Sequence, residues 1–233
     1  MNDAGESILQ SLAEVAAERA ARLADPGLGA GVAAVKQFQH ARFTRTYGDL
    51  LDHSRYGGAA AFFLEDLYGP ADFSERDRQF VRIVPALLRI FPSAIVSTIG
   101  DLAELHALSE RLDSGMARCL GAQAPDGHSY AQAWRTQGDR PARERQIALM
   151  LAIGTALDRY TRNLLLRNSL RVMRGPAQAA GLGSLQRFLE RGFDAFRAMG
   201  GAQEFLATIA LRERGLAELL FDGGDLREGK LGP

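Results

Sequence analysis

The chain has 233 residues, 46% hydrophobic and 24% charged, with a formal net charge of zero at pH 7. That balance excludes a mostly disordered chain and leaves no global field to draw it to nucleic acid or an anionic membrane. A single cysteine, Cys119, excludes an internal disulfide and a thiolate metal cluster and fits a reducing, cytoplasmic setting.

The opening MNDAGESILQ has no basic run ahead of an apolar block, so no secretory leader is expected. Apolar residues recur at spacings of three and four, and the period-2 runs of strands are missing. The expected fold is all-α: one domain of about nine helices around a central apolar helix. The first helix, about Gly5 to Ala24, carries a thin stripe of Ile8, Leu12, Val15 and Leu23, and Asp25-Pro26-Gly27 should end it. This helix, 1–26, reads as a peripheral element, 27–222 as the core domain and 223–233 as a mobile tail. The glycines at 27, 29 and 31 resemble a dinucleotide loop but lack a preceding strand, so a flexible connector is expected.

The second helix is expected over Gly31 to Arg55, the third over Ala59 to Tyr68, with Gly69-Pro70 as its stop. Ser74 with Asp77 three residues on resembles a weak capping box. It opens a helix to about Phe91 that contains Pro85, where a kink is expected. Ser93 is the expected cap of a helix that carries Ile95, Ile99, Leu102, Leu105, Leu108 and Leu112. A connection with one short helix follows over Gly121 to Arg140. A long helix is then expected from Pro141 to Met173. Its charge-free run, Gln146 to Leu157, is apolar on every side, so it should form the centre of the fold. At twelve residues the run falls short of the ~20 that span a bilayer. Gly175-Pro176 should end that helix, and two amphipathic helices close the chain.

Ten of the eighteen aromatics fall between Phe38 and Phe91, which suggests either a packed core or an aromatic-lined pocket. His53 lies four residues after Asp49 and three before Tyr56, so a continuous helix would put all three on one face. Glu65 stands among Phe62, Phe63 and Leu67, where a carboxylate would be harder to ionise. His53, Tyr56, Glu65 and Tyr68 are the candidate ligand-binding residues. His106, Glu110 and Asp113 share a face at offsets 0, +4 and +7, a pattern that suits a metal ion and equally describes a charged solvent face. No acid precedes any histidine by three residues, which disfavours a ferritin-like di-metal site, while a single axial histidine for haem leaves no spacing signature. Arg159 to Arg197 holds eight arginines against two acids, and Arg167, Arg171 and Arg174 share a face that could meet an acidic partner.

The strings FFLEDLYGPADFSERD, RIVPALLRIFP, LHALSERLD, MRGPAQAAGL and LQRFLERGF resemble an uncharacterised bacterial all-helical family. The resemblance implies a bacterial, cytoplasmic, helical protein and carries no activity. Three functions remain open. One is a binding or regulatory module that holds a hydrophobic small molecule or a partner helix. The second is a metal- or haem-dependent enzyme built on His53 or His106. The third is a homo-oligomeric scaffold with an arginine-rich partner surface.

Overall fold

The computed structural model describes residues 3–67, 69, 73–121 and 123–226, without the side chains of Leu164 and Arg167. It consists of eleven α-helices and one π-helical turn, with no strand among the described residues. In chain order these are α1 (Asp3–Ala24), α2 (Pro26–Thr46), α3 (Gly48–Leu51), α4 (Gly57–Phe62), the π-turn (Phe63–Leu67), α5 (Ser74–Ile90), α6 (Ser93–Leu120), α7 (Gly127–Gln137), α8 (Arg140–Thr161), α9 (Leu164–Ala179), α10 (Gly183–Met199) and α11 (Gln203–Phe221).

Polar caps set several boundaries, and some differ from the sequence expectation. The Asp25 carboxylate accepts the N–H groups of Gly27 and Leu28 at 3.0 and 3.1 Å, with Pro26 in the first turn. Helix α2 therefore begins at Pro26, and the three glycines expected to form a connector are helical. Gly31 has a use there: a Cβ on it would lie 3.2 Å from the Ala117 Cβ, so its lack of one lets α2 approach α6 closely. The long helix expected to reach Met173 stops at Thr161, because the Asn163 carboxamide accepts from Leu165 and caps a new helix, α9. Gly175-Pro176 then lies inside α9 rather than ending it. The true stop is Gly181 at φ +69, where the Leu182 N–H reaches the Ala177 carbonyl at 2.7 Å. The second helix divides at Tyr47, and Asp77 does not serve as a cap partner, since its side chain turns inward.

The interior has two spines. Helix α6 packs against α1, α2, α5, α7 and α8, and α8 packs against α6, α9, α10 and α11. The charge-free run of α8 is thus central but not alone in being so. One edge of it, Ala152 and Thr155, meets solvent because small side chains tolerate water. Two apolar clusters fill the space. The larger includes Leu12, Phe43, Phe62, Val84, Leu105, Leu149, Phe196 and Phe205. The smaller gathers Val32, Val35, Met116, Tyr130, Trp134, Leu216, Leu220 and Leu226. Helix α1 belongs to this core, with Ile8, Leu12 and Val15 buried. Leu226 is buried as well, and residues 227–233 of the expected tail lie outside the described residues.

Helix α10 crosses α4 at Gly192. A Cβ there would lie 2.7 Å from Phe62 Cζ, and that ring is held by Phe188 at 5.5 Å. Gly192→Ala is expected to cost about 1–3 kcal/mol by overpacking. Gly215→Ala, on α11 where nothing lies within 4 Å, should stabilise by about 0.5–1 kcal/mol. Urea denaturation of the two variants checks both signs.

Candidate functional site

Between the two apolar clusters lies a buried polar belt; α2, α6 and α11 pass through it from one cluster to the other, and α8 borders it from the large cluster. On α2, Val32 and Val35 belong to the small cluster and Phe43 to the large one, with Lys36, Gln39 and Arg42 between. On α6, Leu105, Leu108 and Leu112 give way to Met116 and Ala117, and His106, Glu110 and Asp113 line the seam. Arg143 and Gln146 of α8 and Glu213 of α11 complete it.

Most of these charges are neutralised internally. Glu110 binds Arg22, and at 2.7 Å Lys36. Arg22 also donates to the Glu110 carbonyl at 2.7 Å and to the Ser114 hydroxyl at 2.9 Å. Burial alone would raise the Glu110 pKa, but the Lys36 and Arg22 charges overcome it and hold the carboxyl at about 2. Asp77 faces Arg19 at 2.6 Å, His106 Nε2 at 2.8 Å and Arg76 at 3.3 Å. It too falls to about 2, against the raising effect of burial. Arg42 forms a two-pronged pair with Glu213, which also accepts the Tyr47 hydroxyl proton at 2.7 Å. Burial and the Glu213 charge push the Tyr47 phenol well above its usual range.

Asp113 differs. It is buried and, among the described residues, accepts only the Gln39 amide, at 3.1 Å; burial raises its pKa. Arg143 differs too: it is 5% exposed, and no carboxylate lies within salt-bridge distance among the described residues. Its guanidinium lies over the Trp134 ring, 3.8 Å from the centroid, and donates to the neutral carboxamides of Gln137 and Gln146.

A cavity of ≈ 340 Å³ opens from this belt into the large apolar cluster. Leu102, Ile99, Met150, Ile153, Leu157, Phe91 and Phe188 are among its walls. Leu166, Leu170 and Met173 of α9 form its outer side. Met173 and Leu189 are lining residues that are also 50% and 41% exposed, so the cavity reaches solvent between α9 and α10.

The residues singled out in the sequence divide into three groups. His106, Glu110 and Asp113 do share a face, and it points into the cavity rather than to solvent. Their partners are cations and an amide, and no group of three His, Cys, Asp or Glu among the described residues is arranged to hold a metal. His53, Tyr56 and Glu65 lie elsewhere. His53 is exposed in the turn after α3 and stacks on Tyr56, while Asp49 pairs with Arg212, because the helix that would have joined Asp49 to His53 ends at Leu51. The Tyr56 hydroxyl donates to Glu204 at 2.5 Å, and Glu65 pairs with Arg191 at the surface. Tyr68 lies outside the described residues. On α9, Arg174 is matched by Glu190 at 2.8 Å and Arg171 is exposed; the Arg167 side chain lies outside the described set. Cys119 is exposed. Sequence reasoning missed Arg143, Trp134, Gln39 and Arg42, whose only signal is polarity within otherwise apolar helical stripes.

The arrangement defines an all-helical protein that encloses an amphipathic cavity. The chain belongs to the family described as domain of unknown function DUF8198, whose model matches residues 18–226. That span takes in every cavity-lining residue but Leu12. No curated protein and no solved structure matches the chain. No helix among the described residues is long and apolar enough to cross a membrane.

The depressed carboxyls set an acid limit. Both folded-state pKa values, about 2, lie below the ordinary 3.8 and 4.5. Their stabilisation is therefore present above about pH 5 and lost as pH falls toward 2, on the order of 2–3 kcal/mol for each group. Asp113 acts in the opposite sense, its stabilisation present below 3.8 and lost as pH rises through its raised pKa. Urea melts across pH 2–8 should show Asp113→Asn more stable than wild type at pH 7. Glu110→Ala should be about 3–5 kcal/mol less stable there, since it strands Arg22 and Lys36.

Proposed function

We propose that the protein is a carrier or sensor that holds a small amphipathic molecule in the cavity between α5, α6, α8, α9 and α10. The observation that carries this reading is the cavity itself: ≈ 340 Å³ of mostly apolar interior that ends on a buried polar belt. Its size falls in the range of small-molecule pockets, roughly 300–1,000 Å³. Its walls are mostly apolar, so an apolar occupant that displaces solvent from them gains the free energy of hydrophobic burial. By comparison with benzene, which fills a cavity of about 150 Å³, this one suits a molecule of on the order of a dozen carbon atoms.

Helix α9 supports the same reading. It turns Leu166, Leu170 and Met173 to the cavity and leaves Leu165 and Val172 at 77% and 74% exposure. Short of buried anchors and tied mainly to α10, it is the helix that can swing aside at least cost to admit a ligand.

Organic extraction of the purified full-length chain followed by mass spectrometry should recover a stoichiometric amphiphile. Ten- to twelve-carbon ligands at about 100 times their Kd should stabilise the emptied protein by roughly 2.7 kcal/mol. Ile99→Trp places a ring in the cavity and should abolish that shift while the variant stays folded. No recovered ligand together with no shift from any amphiphile would overturn the reading.

A further inference from the structure

We infer that the polar end of the cavity is a carboxylate-binding site, with Arg143 as its anchor, so that the ligand is a medium-chain acid rather than an alcohol, amine or hydrocarbon. The inference rests on the cavity reading above and deepens it. Four side chains bring a permanent positive charge to the cavity wall: Lys36, Arg42, Arg76 and Arg143. Three are already paired, Lys36 with Glu110, Arg42 with Glu213 and Arg76 with Asp77. Arg143 donates to two neutral carboxamides, at 3.0 and 3.4 Å, and lies over the face of Trp134; the charges of Asp113 and Asp139 act on it from beyond salt-bridge distance, and no carboxylate pairs with it among the described residues. A buried guanidinium without an anion is costly, and the planar fork of an arginine matches a carboxylate in two-pronged geometry.

Two further donors point to the same ligand. Trp134 is 9% exposed and lines the cavity, and its Nε1–H is buried with no partner among the described residues. An indole N–H can only donate, so what satisfies it must be an acceptor. The Tyr130 hydroxyl, from a ring 1% exposed in the same wall, accepts the Gln39 amide at 3.3 Å. Its own proton has no acceptor among the described residues. One cation and two neutral donors around an apolar shaft describe a receptor for a single negative charge on an alkyl chain. A phosphate monoester would bring a second charge, with no second unpaired cation on the cavity wall among the described residues to meet it. Asp113 lines the same wall; burial raises its pKa, which weakens the repulsion it would set against a carboxylate.

The test compares four ten-carbon ligands on the delipidated full-length chain at pH 7.5 by calorimetry: decanoate, decanol, decylamine and decyl phosphate. Decanoate should bind at least tenfold tighter than each of the others. Arg143→Met should lose that preference, with decanol affinity changed less than threefold. Trp134→Phe removes the Nε1 donor while keeping an aromatic ring, and should weaken decanoate about three- to tenfold with decanol affinity changed less than threefold. This variant decides the matter if Arg143→Met does not fold. Decanol or decylamine binding as tightly as decanoate would overturn the head-group inference and leave the cavity reading standing. So would equal losses for decanoate and decanol in Trp134→Phe, and a preference for decyl phosphate would reassign the site to a dianion. Failure of all four ligands would overturn the cavity reading as well.

Discussion

The fold depends on how the carboxylates of α6 are taken out of water. Glu110 is 3% exposed, and an unpaired charge at such depth would be prohibitive. It is tolerated because Arg22 arrives from α1 and Lys36 from α2. The three helices are thereby pinned at one level, by contacts that span 74 to 88 residues of chain. Asp77 does the same between α5, α1 and α6 through Arg19 and His106. Removing one partner of such a pair strands the other charge, which explains why these links fix geometry even where their net contribution to stability is modest.

The polar belt has a second consequence. Because it crosses α2, α6 and α11 and is bordered by α8, it splits the apolar interior into two clusters and fixes where the helices can meet. The large cluster is bounded on one side by side chains that cannot collapse into it without leaving their ion pairs. On the other side stands α9, which is anchored weakly. The cavity occupies the space between. Its two ends therefore differ in chemistry for a structural reason: one end is the belt, the other is the interior face of an amphipathic helix.

The sequence and the tertiary structure divide the account of the site in an instructive way. The face shared by His106, Glu110 and Asp113 followed from helical spacing alone and is correct as geometry. Whether that face met water or the interior did not follow, because the countercharges Arg22 and Lys36 lie far away in sequence. Asp77 was mistaken for half of a capping box because it stands three residues after a serine; its real partners come from α1 and α6. The grouping of His53 with Asp49 failed for a local reason: α3 ends at Leu51, Asp52 is its cap and His53 lies beyond it, and a helix that stops short no longer aligns side chains four apart.

What the sequence determined by itself was the all-helical class, the rough placement of most helices and the core character of the Gln146–Leu157 run, since these rest on periodicity and on local capping and breaking residues. It also contained the aromatic supply for the interior, although the cavity takes rings from Tyr130, Trp134 and Phe188 as well as from the expected half. The tertiary structure alone decided that α6 is a second spine, that its charges are buried, and that Arg143 stands beside a cavity with no ion-pair partner among the described residues. Those features arise from pairing between residues distant in the chain, and local hydrophobic period bears no record of which distant charge will neutralise which.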